Sequence, residues 1–190
     1  LESVMPRTTK QEFIEEMYQT HHVQLFDYTR LLARSNAASI EISPKEVILT
    51  TRDRGLRFLA MEHDRRVAPM AILNFGDYEQ EETAMAAALA SGSTTILDVG
   101  ANIGWFSINL AAEHRDATVH AFEPVAKTFA VLLRNIELNG LPNIEASNCG
   151  LSDFTGEAPL YFYREGSGNT SIADLSGRPS VETLRGQFVR

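Results

Sequence analysis

Between Ile96 and Ala111 the chain runs ILDVGANIGWFSINLA, with Asp98, Gly100, Asn102 and Gly104 at every second position. Glycines spaced this way after an apolar strand let the backbone turn tightly and aim its N–H groups at a nucleotide. In the dinucleotide fingerprint G-x-G-x-x-G, the second glycine admits a pyrophosphate to the helix N-terminus. Here that pattern fails, because Asn102 stands where a glycine is needed. Asparagine is one of the few other residues that accept left-handed backbone angles. The turn is therefore kept, while close phosphate approach is compromised. Glu123 follows Gly100 by 23 residues, at the end of the next predicted strand. An acidic side chain there can accept hydrogen bonds from both hydroxyls of a ribose. Pro124, beside it, would pack near the base.

Asp98 or Glu123 alone is equally well explained as a cap on the following helix. Their joint placement at adjacent strand ends, one beside a glycine turn, favours nucleoside binding. A nucleoside without phosphate fits the turn best. S-adenosylmethionine is such a ligand, and its ammonium group needs acidic or amide partners of the kind that Asp98 and the loop backbone supply. Methyl transfer from it to a hydroxyl needs positioning and the removal of one proton, but no metal. Histidine is a natural base for that proton. Of His21, His22, His63, His114 and His120, none is selected by its neighbours, and the catalytic residue stays unassigned.

The elements that must position these residues begin with a long helix over about Lys10 to Ser35. Ile14, Tyr18, His21, Leu25, Tyr28 and Leu32 recur there at alternating spacings of four and three. Such a face packs on its own domain, caps a substrate or pairs with a second subunit, and the stripe by itself does not distinguish these. EVILTT and LRFLAM, joined by RDRG, predict a β-hairpin. QEETAMAAALASG predicts a helix stopped near Gly92. From Thr94 the pattern alternates: TTILDVG is expected to be a buried strand, IGWFSINLAAEH a helix, ATVHAF a strand, a helix follows Pro124 and stops at Asn139-Gly140, and NIEASNCGLSD is a third strand. Two βαβ units of this kind build a parallel sheet that binds ligands beyond the carboxyl ends of its strands. After Asp153, APLYFYR predicts one more strand and EGSGNTSI a loop that either covers the site or only connects. The last stretch carries no predicted element.

Composition sets the frame. In 190 residues, 44% are hydrophobic and 22% charged, which is ordinary for one main globular domain. A net charge of -8 argues against a broad nucleic-acid surface. The single cysteine, Cys149, excludes an internal disulfide and a multi-cysteine metal site, and cytoplasm is the default compartment. No apolar run reaches the length of a membrane span, and LESVMPRTTK lacks the order of a signal peptide.

ILDVGANIGWFSINLA, VHAFEPVAKTFAVLLRNIELNG and NFGDYEQEE together resemble the FkbM family of S-adenosylmethionine-dependent methyltransferases. The resemblance implies an α/β fold, the Rossmann-like parallel sheet of class I methyltransferases, preceded by a long helix and a β-hairpin. The order of elements divides the chain into an N-terminal helical segment (1–45), a hairpin with its connecting helix (46–93) and an incomplete cofactor-binding domain (94–190), and the resemblance spans roughly Val47 to the end. The resemblance implies O-methylation of a hydroxyl on a small molecule, sugar or glycan. Carried over by position, Asp98, Gly100, Ala101, Asn102 and Gly104 form the cofactor loop. Glu123 holds the ribose, Pro124, Cys149 and Gly150 line the adenine, and Tyr78 and Glu79 lie near the methionine end. A family member continues after GQFVR with an acidic strand of the type I-D-V-E-G, so only the N-terminal half of the sheet is expected here.

Two other classes compete with this reading. A nicotinamide-dependent oxidoreductase is disfavoured by Asn102. A non-catalytic nucleoside-binding or assembly module would keep the half-sheet and use the long helix for a partner.

Overall fold

The computed structural model describes residues 9–163, 166–174 and 181–190. The opening residues up to 8, and the parts of the last two segments between these ranges, lie outside it. Among the described residues no helix is long and apolar enough to cross a membrane.

The chain begins with α1 (Lys10–Met17), a π-helical turn (Tyr18–His22) and α2 (Val23–Ala33), a continuous helix. Thr9 and Glu12 close its start reciprocally as a capping box. The extra residue per turn in the π segment rotates the two halves of the four-three stripe out of phase. None of this helix is buried, so the predicted packing of its stripe on its own domain is confined to partly buried Leu32 at its far end.

A three-stranded antiparallel sheet follows, with β1 (Ala37–Ile42), β2 (Val47–Thr51) and β3 (Arg57–Leu59) in that order. β2 and β3 are the predicted hairpin. β1 is an addition that the helix-to-hairpin reading missed. Next come α3 (Met70–Phe75), also missed, and α4 (Gln80–Leu89).

The predicted alternation then appears as β4 (Thr95–Val99), α5 (Trp105–Glu113), β5 (Thr118–Phe122), α6 (Ala126–Asn139) and β6 (Ile144–Ser147). The three strands form one parallel sheet in the order β4-β5-β6, so the fold class is α/β with a Rossmann-like parallel sheet. Its register sets Asp98 beside Ala121 and Phe122 beside Ser147, which levels the carboxyl ends of the strands. Apolar α5 packs through Ile108 with Ile103 and Val119, all nearly inaccessible. α6 contributes Leu132, and Gly140 ends it in the left-handed conformation.

Two asparagines of α6 tie the small sheet to the large one. Asn135, fully buried, accepts the N–H of Leu59 at 2.7 Å and donates to the carbonyl of Ile103 at 2.8 Å. One turn on, Asn139 accepts from the N–H of Arg57 and donates to its carbonyl. The edge of β3 is thus satisfied by side chains rather than by another strand.

Two expectations need correction. β4 is not a buried strand: Leu97 is 61% exposed and Val99 56%. α5 lies over the other face, where Asp98 meets Ser107. The predicted third strand is broken, since only Ile144–Ser147 joins the parallel sheet. Gly150–Leu151 (β7) enters a separate sheet in the order β7-β9-β8, with β8 (Gly156–Tyr163) and β9 (Val181–Val189) antiparallel. β9 occupies the stretch for which no element was predicted.

Candidate nucleoside site

Beyond the carboxyl ends of β4 and β5 lies a cavity of about 470 Å³, within the usual size of small-molecule sites. The turn after β4 forms its floor. Gly100 (φ +82), Asn102 (φ +51) and Gly104 (φ +88) all take left-handed angles, which explains the glycine-asparagine-glycine spacing. The N–H groups of Gly100 and Ala101 both donate to the carbonyl of Phe122 at 2.9 Å. The turn is thereby pinned to the end of β5.

Glu123 completes that unit from the other side. Its carboxylate accepts the N–H of Asn102 at 2.9 Å and the N–H of Val125 at 2.8 Å. The side chain is almost fully buried. Burial pushes its pKa up, the two backbone N–H groups pull it down, and the nearby Asp98 charge adds to the rise. Each carboxylate oxygen retains acceptor capacity beyond one N–H. Asp98 is half-buried and accepts a hydrogen bond from the hydroxyl of Ser107 on α5. Its pKa is likewise raised by burial, against the lowering effect of Ser107.

Of the residues singled out in the sequence, Tyr78, Glu79, Gly100, Ala101, Asn102, Glu123, Pro124 and Gly150 line this one cavity. Asp98, Gly104 and Cys149 do not line it. Gly104 serves packing, because a Cβ on it would lie 2.5 Å from Leu132. The N–H of Cys149 donates to the carbonyl of Ser147 at the end of β6. Glu79, ahead of α4, is held at φ +45. Tyr78 stacks edge-on against Trp105 at 5.3 Å, and the Trp105 indole donates to Thr83 of α4. Burial, with the neighbouring Glu79 carboxylate, pushes the Tyr78 hydroxyl well above its ordinary pKa.

Part of the wall comes from the loop expected either to cover the site or only to connect, in which no single residue was assigned. Ser167 and Gly168 line the cavity from the EGSGNTSI stretch. The Ser167 hydroxyl donates to the Asn102 side-chain oxygen at 3.1 Å, and its N–H donates to the buried Asp64 carboxylate at 2.8 Å. Asp64 also accepts the N–H groups of Arg66 and Val67. The loop is thus held at the site rather than merely joining two strands. Its only sequence signal was glycine and serine content.

The five histidines lie elsewhere. The ring of His114 meets the carbonyl of Ala87 at 3.0 Å, and His120 faces Glu145 across the sheet at 3.3 Å. His63 lines a separate small cavity with Lys127 and Phe162, while His21 and His22 sit in the π-turn. Among the described residues that line the main cavity, two are carboxylates, Glu79 and Glu123, and none is lysine, arginine or histidine. Such a lining attracts positive charge and opposes a phosphate.

No protein-family model matches the chain. Over 78 residues it is 40% identical to the methyltransferase sdnD of Sordaria araneosa, a stretch covering 40% of this chain and 30% of that protein. Over 68 residues it is 40% identical to the 31-O-demethyl-FK506 methyltransferase FkbM of Streptomyces tacrolimicus, covering 36% of this chain and 26% of that one. The sequence resemblance thus extends to curated methyltransferases, one of them named FkbM. The matches span a third or less of those relatives' lengths. A solved structure of TYW2 from P. horikoshii in complex with MeSAdo aligns at 21% identity and a TM-score of 0.46, over 75% of this chain and 52% of that one.

Proposed function

We propose that this chain carries the S-adenosylmethionine site of a methyltransferase whose acceptor is a hydroxyl on a small molecule, sugar or natural product. One observation carries the cofactor assignment. A cavity at the ends of adjacent parallel strands combines a glycine turn with carboxylates and lacks any cation among its described lining residues. That suits a nucleoside bearing positive charge. A dinucleotide would set its phosphates against Glu79 and Glu123 and would meet the Asn102 side chain where backbone must approach. Nothing in the relatives favours the oxidoreductase or the binding-module reading.

When bound, S-adenosylmethionine supplies an electrophilic methyl group on a sulfonium. The residues of this chain orient it. Glu123 accepts the ribose hydroxyls with the lone pairs left by Asn102 and Val125. Pro124 and Gly150, with Cys149 behind them, flank the adenine. The backbone of Gly100, Ala101 and Asn102, backed by Asp98 and Gly104, follows the methionine part, and Tyr78 with Glu79 faces its ammonium. The acceptor oxygen is then held in line with the methyl group, so positioning provides most of the rate. The base stays unassigned, since no histidine lines this cavity among the described residues.

Isothermal titration tests the reading with S-adenosylmethionine, its demethylated product and the oxidised nicotinamide dinucleotide. The expected result is binding of the first two, lost in Asp98→Ala, and none of the third. A folded chain that binds only the dinucleotide would overturn it.

A further inference from the structure

The helix at the start of the chain carries large apolar side chains that the described residues leave uncovered. Phe13 is 56% exposed and Phe26 63%, and Ile14, Tyr18, Leu25 and Tyr28 are also exposed. Beside its second half runs an apolar groove of about 270 Å³, lined by Leu25, Tyr28 and Leu32 of α2 and by Ile40, Ile42 and Val47 of the small sheet. Ile42, at its rim, is 66% exposed. Both features are costly for a monomer in water and point to a partner.

The charges on the same helix say which partner. Its first turns carry Glu12, Glu15 and Glu16 against the single Lys10, whereas its last turns carry Arg30 and Arg34 against the single Asp27. A second copy laid antiparallel brings the acidic start of each helix beside the basic end of the other. Parallel copies would set like charges together. Antiparallel pairing also opposes the two helix dipoles favourably. The groove lies along the second half only, so the first half of each helix, with exposed Phe13, would reach the groove of the other. The contact is self-complementary and closes about a two-fold axis near the π-turn.

We propose that this chain forms a homodimer through antiparallel pairing of the Lys10–Ala33 helices, each filling the apolar groove of its partner. The interface lies apart from the nucleoside cavity and does not depend on how that cavity is assigned.

Sedimentation of the 190-residue chain over a concentration series is the test. The wild type should dimerise, and Glu15→Arg/Glu16→Arg or Arg30→Glu/Arg34→Glu should each weaken dimerisation by at least about tenfold through like-charge contacts. An equimolar mixture of the two variants should restore it, because the net basic ends of one helix then meet the net acidic ends of the other. A monomer at every concentration would overturn the proposal. So would dimerisation that neither variant changes, which would place the contact on another surface such as the bare face of β4. A spin label at Gln11→Cys, in a Cys149→Ser background, reads the orientation with the helix charges intact. Antiparallel pairing predicts a separation of about 33 Å from the helical rise. A separation of about 10 Å, the spacing of helices side by side, would instead mean parallel pairing and overturn the assignment.

Discussion

The Glu123 carboxylate accepts the N–H of Asn102 at 2.9 Å, so the acidic end of β5 and the glycine turn after β4 move as one unit. Removing the carboxylate should therefore damage both the ligand contact and the turn. Glu123→Gln sets a side-chain NH₂ against one of two backbone N–H groups that now have an acceptor. The expected loss is about 1–3 kcal/mol of unfolding free energy, together with at least tenfold weaker S-adenosylmethionine binding, about 1.4 kcal/mol. Urea unfolding and titration calorimetry measure the two separately. Unchanged stability would show that the turn does not depend on this carboxylate.

The two glycines of the turn should fail differently. At Gly100 a Cβ meets nothing within 4 Å, whereas at Gly104 it would collide with Leu132, which is fully buried between α6 and the sheet. Both glycines sit at positive φ, so each alanine costs about 1–2 kcal/mol in backbone strain. Gly104→Ala adds an overpacking cost of about 1–3 kcal/mol. Gly100→Ala should leave the melting temperature closer to wild type and yet abolish nucleoside binding, because its Cβ points into open space at the cavity. Equal melting temperatures for the two variants would contradict this division of roles.

This contrast also marks how far the sequence could be read. Asp98, Gly100, Asn102, Gly104 and Glu123 are close in the chain, and their spacing carries the turn and the parallel strands almost by itself. Other local signals identified the hairpin and helices α4, α5 and α6, from strand-like runs, helix formers with a glycine stop, and the apolar stripe of α6. The clamp on the Ser167 loop escaped, because Asp64 and Ser167 are 103 residues apart and the glycine and serine content of the loop does not point to Asp64. Asn135 and Asn139 look like ordinary polar positions on a helix until β3 is seen beside them. β9 shows an alternating pattern in which Gly186 and Phe188 point inward, but its central Arg185-Gly186 weakens any strand signal. The exposed face of β4 was invisible for a related reason: an apolar strand has the same sequence whether or not its second face is covered.

Protonation offers a third test. Burial raises the pKa values of Asp98 and Glu123 above their ordinary 3.8 and 4.5. The folded chain therefore holds protons that the unfolded chain has already released. Their contribution to stability is complete below the ordinary values and is lost as pH rises through the raised ones. Ligand affinity should run the other way, because a cationic ligand prefers the ionised carboxylates. Urea unfolding and calorimetry across about pH 4 to 7 should show these opposite slopes, and Asp98→Asn should reduce both while leaving the share that Glu123 contributes. A wild-type stability that climbs steadily through this window would mean that these carboxylates are not raised.

The Ser167 clamp leads to the last expectation. Asp64 accepts the Ser167 N–H with one oxygen and the Arg66 and Val67 N–H groups with the other. In Asp64→Ala all three donors lose their partner in a buried setting, at about 1–3 kcal/mol for each one left unsatisfied. The loop has a cheaper escape than the core, since residues 166–170 can swing outward and let water replace the lost acceptor. Amide exchange at Ser167 should accelerate at least tenfold, while the amide of Ile108 in α5 keeps its wild-type rate. The released Ser167 hydroxyl no longer steadies Asn102, so nucleoside binding should weaken several-fold although no residue on the cavity floor has changed. If exchange accelerates equally at Ser167 and Ile108, Asp64 supports the whole domain rather than this loop. If exchange at Ser167 rises while binding stays unchanged, the loop covers the cavity without shaping it.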